Sequence, residues 1–181
     1  MEDLGPFVTP HSHSHDFVAK SNGQPYRIWV ATPARRQPGV VRPVLYTLDA
    51  NASFGMVVET ARFLAFENAI PQVIVVGIGY PDADFRTGML LRNYDLSPSH
   101  DDEYVQMSAE QGQPLPEMGL GGAPGFLRFI TEEVAPFVEE TYGADPNDRA
   151  LFGFSLGGLF ATFALLQPEP ALYLLFGQQR K

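Results

Sequence analysis

Apolar residues along this chain follow two rhythms. The runs 17–20, 26–31, 44–48, 73–77 and 149–154 are short and rich in Val, Ile, Leu and aromatic residues, which predicts strands. The first two are joined by Ser21-Asn22-Gly23-Gln24, and Asn-Gly is the dipeptide that tight hairpins favour. The run at 73–77 lies between Pro71 and Gly79 and has the profile of a strand covered on both faces. Helical spacing appears instead at 55–68, through Val58, Ala61, Phe63 and Leu64, and at 156–166. It appears again from Phe126 to Val138, with Glu132, Glu133, Glu139 and Glu140 on the opposite side. Pro136 falls inside that last pattern and is expected to kink or divide the helix.

Between these elements, residues 1–15 are polar and Pro-containing and read as a flexible lead-in; 33–39 read as a surface loop. Residues 80–124 are rich in Pro, Gly, Asp and Ser and read as a long irregular connection. Strands alternating with helices predict an α/β fold. Its sheet is mainly parallel, begins with an antiparallel hairpin and carries helices on both faces, as one domain from residue 16.

Residues 153–158, Gly-Phe-Ser-Leu-Gly-Gly, join the last strand to the last helix. This is the G-x-S-x-G nucleophile elbow, a turn so sharp that its serine adopts a strained backbone conformation. Ser155 is the candidate nucleophile. The backbone N–H of Leu156, at the helix start, is a candidate donor to an oxyanion. A serine hydroxyl also needs a base to take its proton.

Composition narrows the classes of function. The 181 residues contain 45% hydrophobic residues, enough for one cored domain. A formal net charge of −9 argues against nucleic acid, whose binding needs a basic surface, and against anionic membranes. No cysteine is present, which removes disulfides, thiolate chemistry and Cys-ligated metals. The first 25 residues lack a basic start and an apolar core, and no run approaches 18 apolar residues. The expectation is a soluble cytoplasmic protein that uses no cofactor or metal.

With the elbow placed, the order of elements resembles the esterase D-like branch of the α/β hydrolases, nearest to the trilactone siderophore (enterobactin-type) esterases. Four segments carry the likeness, which runs from about residue 12 to residue 167. They are Tyr26-Arg27-Ile28-Trp29-Val30 with Pro33, then 44–51 ending Asp49-Ala50-Asn51, then Arg92-Asn93-Tyr94-Asp95-Leu96-Ser97-Pro98, and finally Phe126 to Tyr142 leading into Gly153 to Gly158. The family's strand-ending turn is usually Asp-Gly, and Ala50 departs from it. The resemblance implies a carboxylic-ester hydrolase with a Ser155 acyl-enzyme and a small-molecule ester substrate. It places the second oxyanion donor at the backbone of Asn51, with Ala50 as the adjacent alternative. Taken alone, 49–51 also reads as a turn held by Asx hydrogen bonds. Arg92 is implied as a residue holding an acidic substrate; the alternative is a structural pair with Asp95. Phe54, Tyr80 and Phe85 are candidates for pocket lining or for plain core.

The triad is incomplete in the expected order of serine, acid, histidine. After Ser155 there is no histidine, and the sole acidic residue is Glu169. His11, His13, His15 and His100 all lie upstream. The three alternating histidines would share one face of a strand, as metal ligands do, or belong to a loose or edge segment. His100, beside Asp101 and Asp102, is a candidate substitute base or part of a solvated acidic loop. The expectation is therefore a C-terminally truncated hydrolase. Its alternative function is that of an inactive fragment or a non-catalytic binding protein. Without further strands, an exposed sheet edge and apolar helix side would promote self-association.

Overall fold

The computed structural model describes residues 5, 8–34, 39–81, 85–112, 115, 117–168 and 173–174. Glu169 and the tail 175–181 lie outside the described residues, as does the side chain of Phe85. Six strands form one sheet in the order β1-β2-β4-β3-β5-β6. The hairpin strands β1 (Ser12–Val18) and β2 (Pro25–Ala31) are antiparallel, and β2 runs antiparallel to β4 (Ile74–Gly79). From β4 onward the sheet is parallel, through β3 (Arg42–Thr47), β5 (Ala144–Phe152) and the two-residue β6 (Tyr173–Leu174). The expected α/β architecture is present, with helices on both faces.

Side-chain alternation divides the strands between two cores. Tyr26, Ile28, Tyr46, Val76 and Leu151 point to one face. There they meet α4 (Ala123–Arg128), α5 (Ala135–Tyr142) and α6 (Leu156–Leu165), whose Phe126, Val138 and Phe160 are buried against them. The opposite face carries Ala31 and Val75 beneath α1 (Ala50–Phe66), which buries Phe54, Val57, Val58 and Ala61. Trp29 packs at the edge of that second core, its ring centroid 6.2 Å from that of Phe54.

Three sequence expectations change. Residues 12–15, read as lead-in, are the first half of β1, because a seven-pair ladder with β2 runs from Ser12 to Val18. The long connection 80–124 contains two helices, α2 (Phe85–Asp95) and α3 (Asp102–Glu110). The start of α3 is an ordinary cap: the Asp101 side chain accepts from Tyr104 N–H at 2.9 Å, with Asp102 and Glu103 in the first turn. The helix around Pro136 is divided, as its pattern predicts. The stretch from α4 to α5 stays helical through a π segment, Phe129–Val134, in which Ala135 N–H reaches Ile130 O. A widened turn just ahead of the proline relieves the clash between its ring and the preceding carbonyl. Lastly, β5 is not left unpaired on its outer side, since Ala150 and Leu151 pair with Tyr173 and Leu174 of β6.

Glu133, within the π segment, receives hydrogen bonds from the backbone N–H groups of Lys20 (2.9 Å) and Ser21 (3.3 Å). It thereby ties the β1–β2 turn to the helical layer. On the other face, α1 presses onto β4 at Gly77, where an added Cβ would stand 2.6 Å from Phe54 Cδ2 and 2.8 Å from Ala50 Cβ. Gly77→Ala is expected to destabilise the protein by about 1–3 kcal/mol through overpacking. Gly55→Ala, at an open helical position, is expected to stabilise it by about 0.5–1 kcal/mol. Urea midpoints of the two variants against wild type check both signs.

Candidate active site

Ser155 sits between β5 and α6 with φ 53° and ψ −124°, a region a non-glycine residue rarely occupies. The turn is closed by Gly157 N–H to Phe154 O at 2.9 Å and Gly158 N–H to Ser155 O at 2.9 Å. Its tightness explains the first glycine of the motif: a Cβ on Gly153 would stand 2.4 Å from Gly157 O. As the first residue of α6, Leu156 has no carbonyl one turn back, so its N–H has no acceptor within the helix. Ser155 is exposed, and among the described residues its Oγ has no hydrogen-bonding partner.

The strand beside β5 delivers a second strained turn. Thr47 pairs with Phe152, and Leu48 N–H donates to Phe152 O at 3.0 Å, so β3 and β5 end side by side. Directly after Leu48, Asp49 adopts a left-handed conformation (φ 54°, ψ 38°) and opens α1. Ala52 N–H and Ser53 N–H both bond Asp49 O at 3.0 Å, while the first-turn N–H groups of Ala50 and Asn51 have no acceptor within the helix. Ser53 Oγ donates back to Leu48 O at 2.8 Å, fastening the helix start to the strand end. The Asx-turn alternative for 49–51 does not hold, because Asp49 makes no side-chain cap.

The Asp49 carboxylate turns instead to Arg92 of α2. The pair is bidentate, Nε to Oδ1 at 2.8 Å and Nη2 to Oδ2 at 3.0 Å, with the side chains 14% and 12% exposed. Hydrogen bonding to Asp49 pushes the Arg92 guanidinium above its ordinary value, against the effect of burial. The structural partner expected for Arg92 was Asp95; the partner present is Asp49. A Cβ on Gly157 would lie 3.5 Å from Asp49 Oδ2, so this ion pair rests against the first turn of α6.

Asn51 lies one residue beyond Ala50 and has its own anchor. Its Nδ2 donates to Tyr80 O at 2.8 Å, and its Oδ1 accepts from Tyr80 N–H at 2.8 Å. The amide fits over Gly79, where an added Cβ would stand 2.2 Å from Asn51 Oδ1. The Tyr80 ring then runs inward, and its hydroxyl donates to Asp95 Oδ2 at 3.0 Å. Tyr26 of β2 donates to the other carboxylate oxygen at 2.9 Å and accepts from Asn22 Nδ2 at 2.8 Å. Tyr80 and Phe54 are both buried in the packed interior, so neither lines an open pocket.

The family model named Esterase ("Putative esterase") matches residues 19–177. The chain belongs to the Esterase family. It is 31% identical over 168 residues to the ferri-bacillibactin esterase BesA of Bacillus subtilis, covering 91% of this chain and 56% of that protein. It is 38% identical over 158 residues to the siderophore enterobactin esterase of Emericella nidulans, covering 82% of this chain and 50% of the relative. Among solved structures, the BES protein from Bacillus cereus superposes with a TM-score of 0.80 at 31% identity, covering 94% of this chain and 63% of that one. The chain thus spans about half the length of the curated relatives it matches.

Within this Esterase-family chain His13 and His15 lie apart from the elbow. His13 and His15 are on β1, four places along the sheet from β5. His15 packs edge-on to Phe137 at 4.9 Å, and its Nε2 is 2.6 Å from Tyr142 Oη. Burial, with His13 as a lesser cause, holds His15 below its ordinary value. Among the described residues no cluster of His, Asp and Glu could hold a metal ion. His100 is exposed and pairs with Asp102 (Nε2 to Oδ1, 3.0 Å), not with Ser155. No helix among the described residues is long and apolar enough to cross a membrane.

Asp95 is the perturbed carboxyl of this region. Burial pushes it up from 3.8 to about 7, although the hydrogen bonds from Tyr26 and Tyr80 favour its charged form. Burial and the Asp95 charge raise both phenols. Between its unfolded and folded values, the native state holds a proton on Asp95 that the unfolded state has lost. Its contribution to stability is full below about pH 4 and falls as pH rises to about 7, by at most about 1.4 kcal/mol per unit. The difference in unfolding free energy between wild type and Asp95→Asn, measured by urea denaturation from pH 4.5 to 7.5, is expected to shift against wild type as pH rises. A flat difference would remove this account of Asp95.

Proposed function

We propose that this chain is a serine hydrolase of carboxylic esters. The observation that carries the reading is Ser155 in the strained, positive-φ turn between β5 and α6, beside the free first-turn N–H groups that follow β3. In this reading Ser155 Oγ attacks the ester carbonyl carbon and its proton passes to a base. The carbonyl oxygen becomes negative and is met by the N–H groups of Leu156 and Asn51. Collapse expels the alcohol, which carries a proton away and leaves an acyl-Ser155. Water then attacks the acyl carbon, releasing the carboxylic acid and restoring the serine hydroxyl.

The names of the relatives support a siderophore ester as substrate class, since they are described as esterases of ferri-bacillibactin and of enterobactin. Arg92 is the residue we assign to an acidic substrate. Nε and Nη2 are engaged by Asp49, so the contact would be made through Nη1. Self-association belongs to the same reading, supported by exposed Leu159, Leu165 and Leu166 on α6 and just after it, near the two-residue β6 edge.

A second reading, an inactive fragment or a binding protein, draws on Ser155 Oγ having no hydrogen-bonding partner among the described residues. Turnover without a base is slow but not zero, because oxyanion donors and binding alone retain part of catalysis. The expected result is hydrolysis of p-nitrophenyl acetate above the buffer rate, falling at least about tenfold in Ser155→Ala. Equal rates in the two proteins would replace the first reading with the second.

A further inference from the structure

The helix α2 was legible in the sequence only as part of an irregular connection, yet it carries two residues directed at one turn. Arg92 grips Asp49 by two hydrogen bonds, at 2.8 and 3.0 Å. Asp95, three residues later and so one turn along the same side of the helix, accepts from Tyr80 Oη at 3.0 Å. The backbone of Tyr80 is in turn locked to the Asn51 side chain by the reciprocal pair at 2.8 Å. Both lines of contact therefore begin on α2 and end on the turn 49–51, one at its first residue and one at its last.

The turn needs such support. Asp49 holds a left-handed conformation that costs a non-glycine residue of order 1 kcal/mol. Its side chain makes no cap to α1, so nothing local on the Asp49 carboxylate stabilises the helix start. A buried bidentate Arg–carboxylate pair is directional and leaves the carboxylate one orientation. The Asn51 amide is equally constrained: Tyr80 presents a donor and an acceptor together, so only one of the two amide orientations satisfies both. Asp95 is 1% exposed and bound at both oxygens, so the far end of this line is anchored in the β2–β4 core through Tyr26.

We propose that α2 is a brace for the oxyanion turn, with Arg92 and the Asp95–Tyr80–Asn51 chain acting as positioning residues that set where the Asn51 N–H points relative to Leu156. This rests on the ester-hydrolase reading above. It assigns Arg92 a role that does not require an acidic substrate. An oxyanion donor displaced by a fraction of an ångström loses most of its effect on the transition state and little on ground-state binding. The signature is a fall in kcat with KM retained, even on a neutral ester.

The test uses the full chain with p-nitrophenyl acetate, which has no acidic group for Arg92 to bind. Arg92→Lys, which keeps the charge but not the bidentate fork, and Tyr80→Phe, which keeps the ring but not the Asp95 contact, are each expected to lower kcat about tenfold. KM should stay within about twofold in both. Ser155→Ala run alongside separates the two claims: if it leaves the rate unchanged the hydrolase reading fails, whatever the brace variants do. If Ser155→Ala abolishes turnover while Arg92→Lys and Tyr80→Phe keep the wild-type kcat, the brace is wrong. A rise in KM alone for Arg92→Lys also overturns it, because a displaced oxyanion donor acts on kcat. Amide hydrogen exchange gives a readout that does not depend on turnover. Exchange at Ala52 and Ser53 is expected to quicken in both variants while Phe126 to Val138 stays protected. Unchanged exchange at 52–53, or loosening of both regions together, would rule the brace out.

Discussion

Everything placed around Ser155 depends on β3 and β5 ending at the same level in neighbouring positions of a parallel sheet. Thr47 lies opposite Phe152, and the last ladder bond runs from Leu48 N–H to Phe152 O. Each chain then turns through a residue of positive φ, Asp49 or Ser155, straight into a helix. The two helices leave toward opposite faces, α1 over one core and α6 over the other. Their first turns, with unsatisfied N–H groups, are thereby left together at the carboxyl edge. The chemistry proposed for the site follows from that parallel pairing, because an antiparallel neighbour would have put its helix start at the other end of the sheet.

The close approach of α1 is the second requirement. Helix and strand come near enough that β4 has glycine at both 77 and 79, beneath Phe54 and Asn51. Such contact brings the first turn of α1 against the end of β4 as well as that of β3. It is why a residue of one turn can be fastened to the backbone of a third strand's exit.

Much of this fold was legible along the chain because its strongest elements are local patterns. The run at 73–77 and the elbow at 153–158 need no distant partner to be recognised. What escaped was set by neighbours remote in sequence. The strand β1 begins at Ser12 because β2 pairs that far, not because its Ser-His-Ser-His pattern is strand-like. Helix α2 contains Gly88 and Asn93 and follows Pro81, so its own composition argues against it. At the site, Ser155 and Leu156 are written in one motif. The partners of Arg92 and Asn51 stand 43 and 29 residues away, those of Asp95 69 and 15, and side-chain pairings of that separation leave no periodic trace. The nearer Asp95 looked the natural mate for Arg92. In the fold it is the buried acceptor of two phenols instead.

The space above Gly79 has an implication for how such chains diverge. The Asn51 amide fills a volume that exists only because position 79 lacks a Cβ, and the same volume is bounded by Trp29 at 2.8 Å from where that atom would be. Positions 29, 51 and 79 therefore form one steric unit drawn from three separate segments. A descendant that acquires a side chain at 79 must shorten the residue at 51 or the ring at 29 in the same lineage. These three positions should drift in concert, whereas exposed Met56 on the outer side of α1 is free to vary alone.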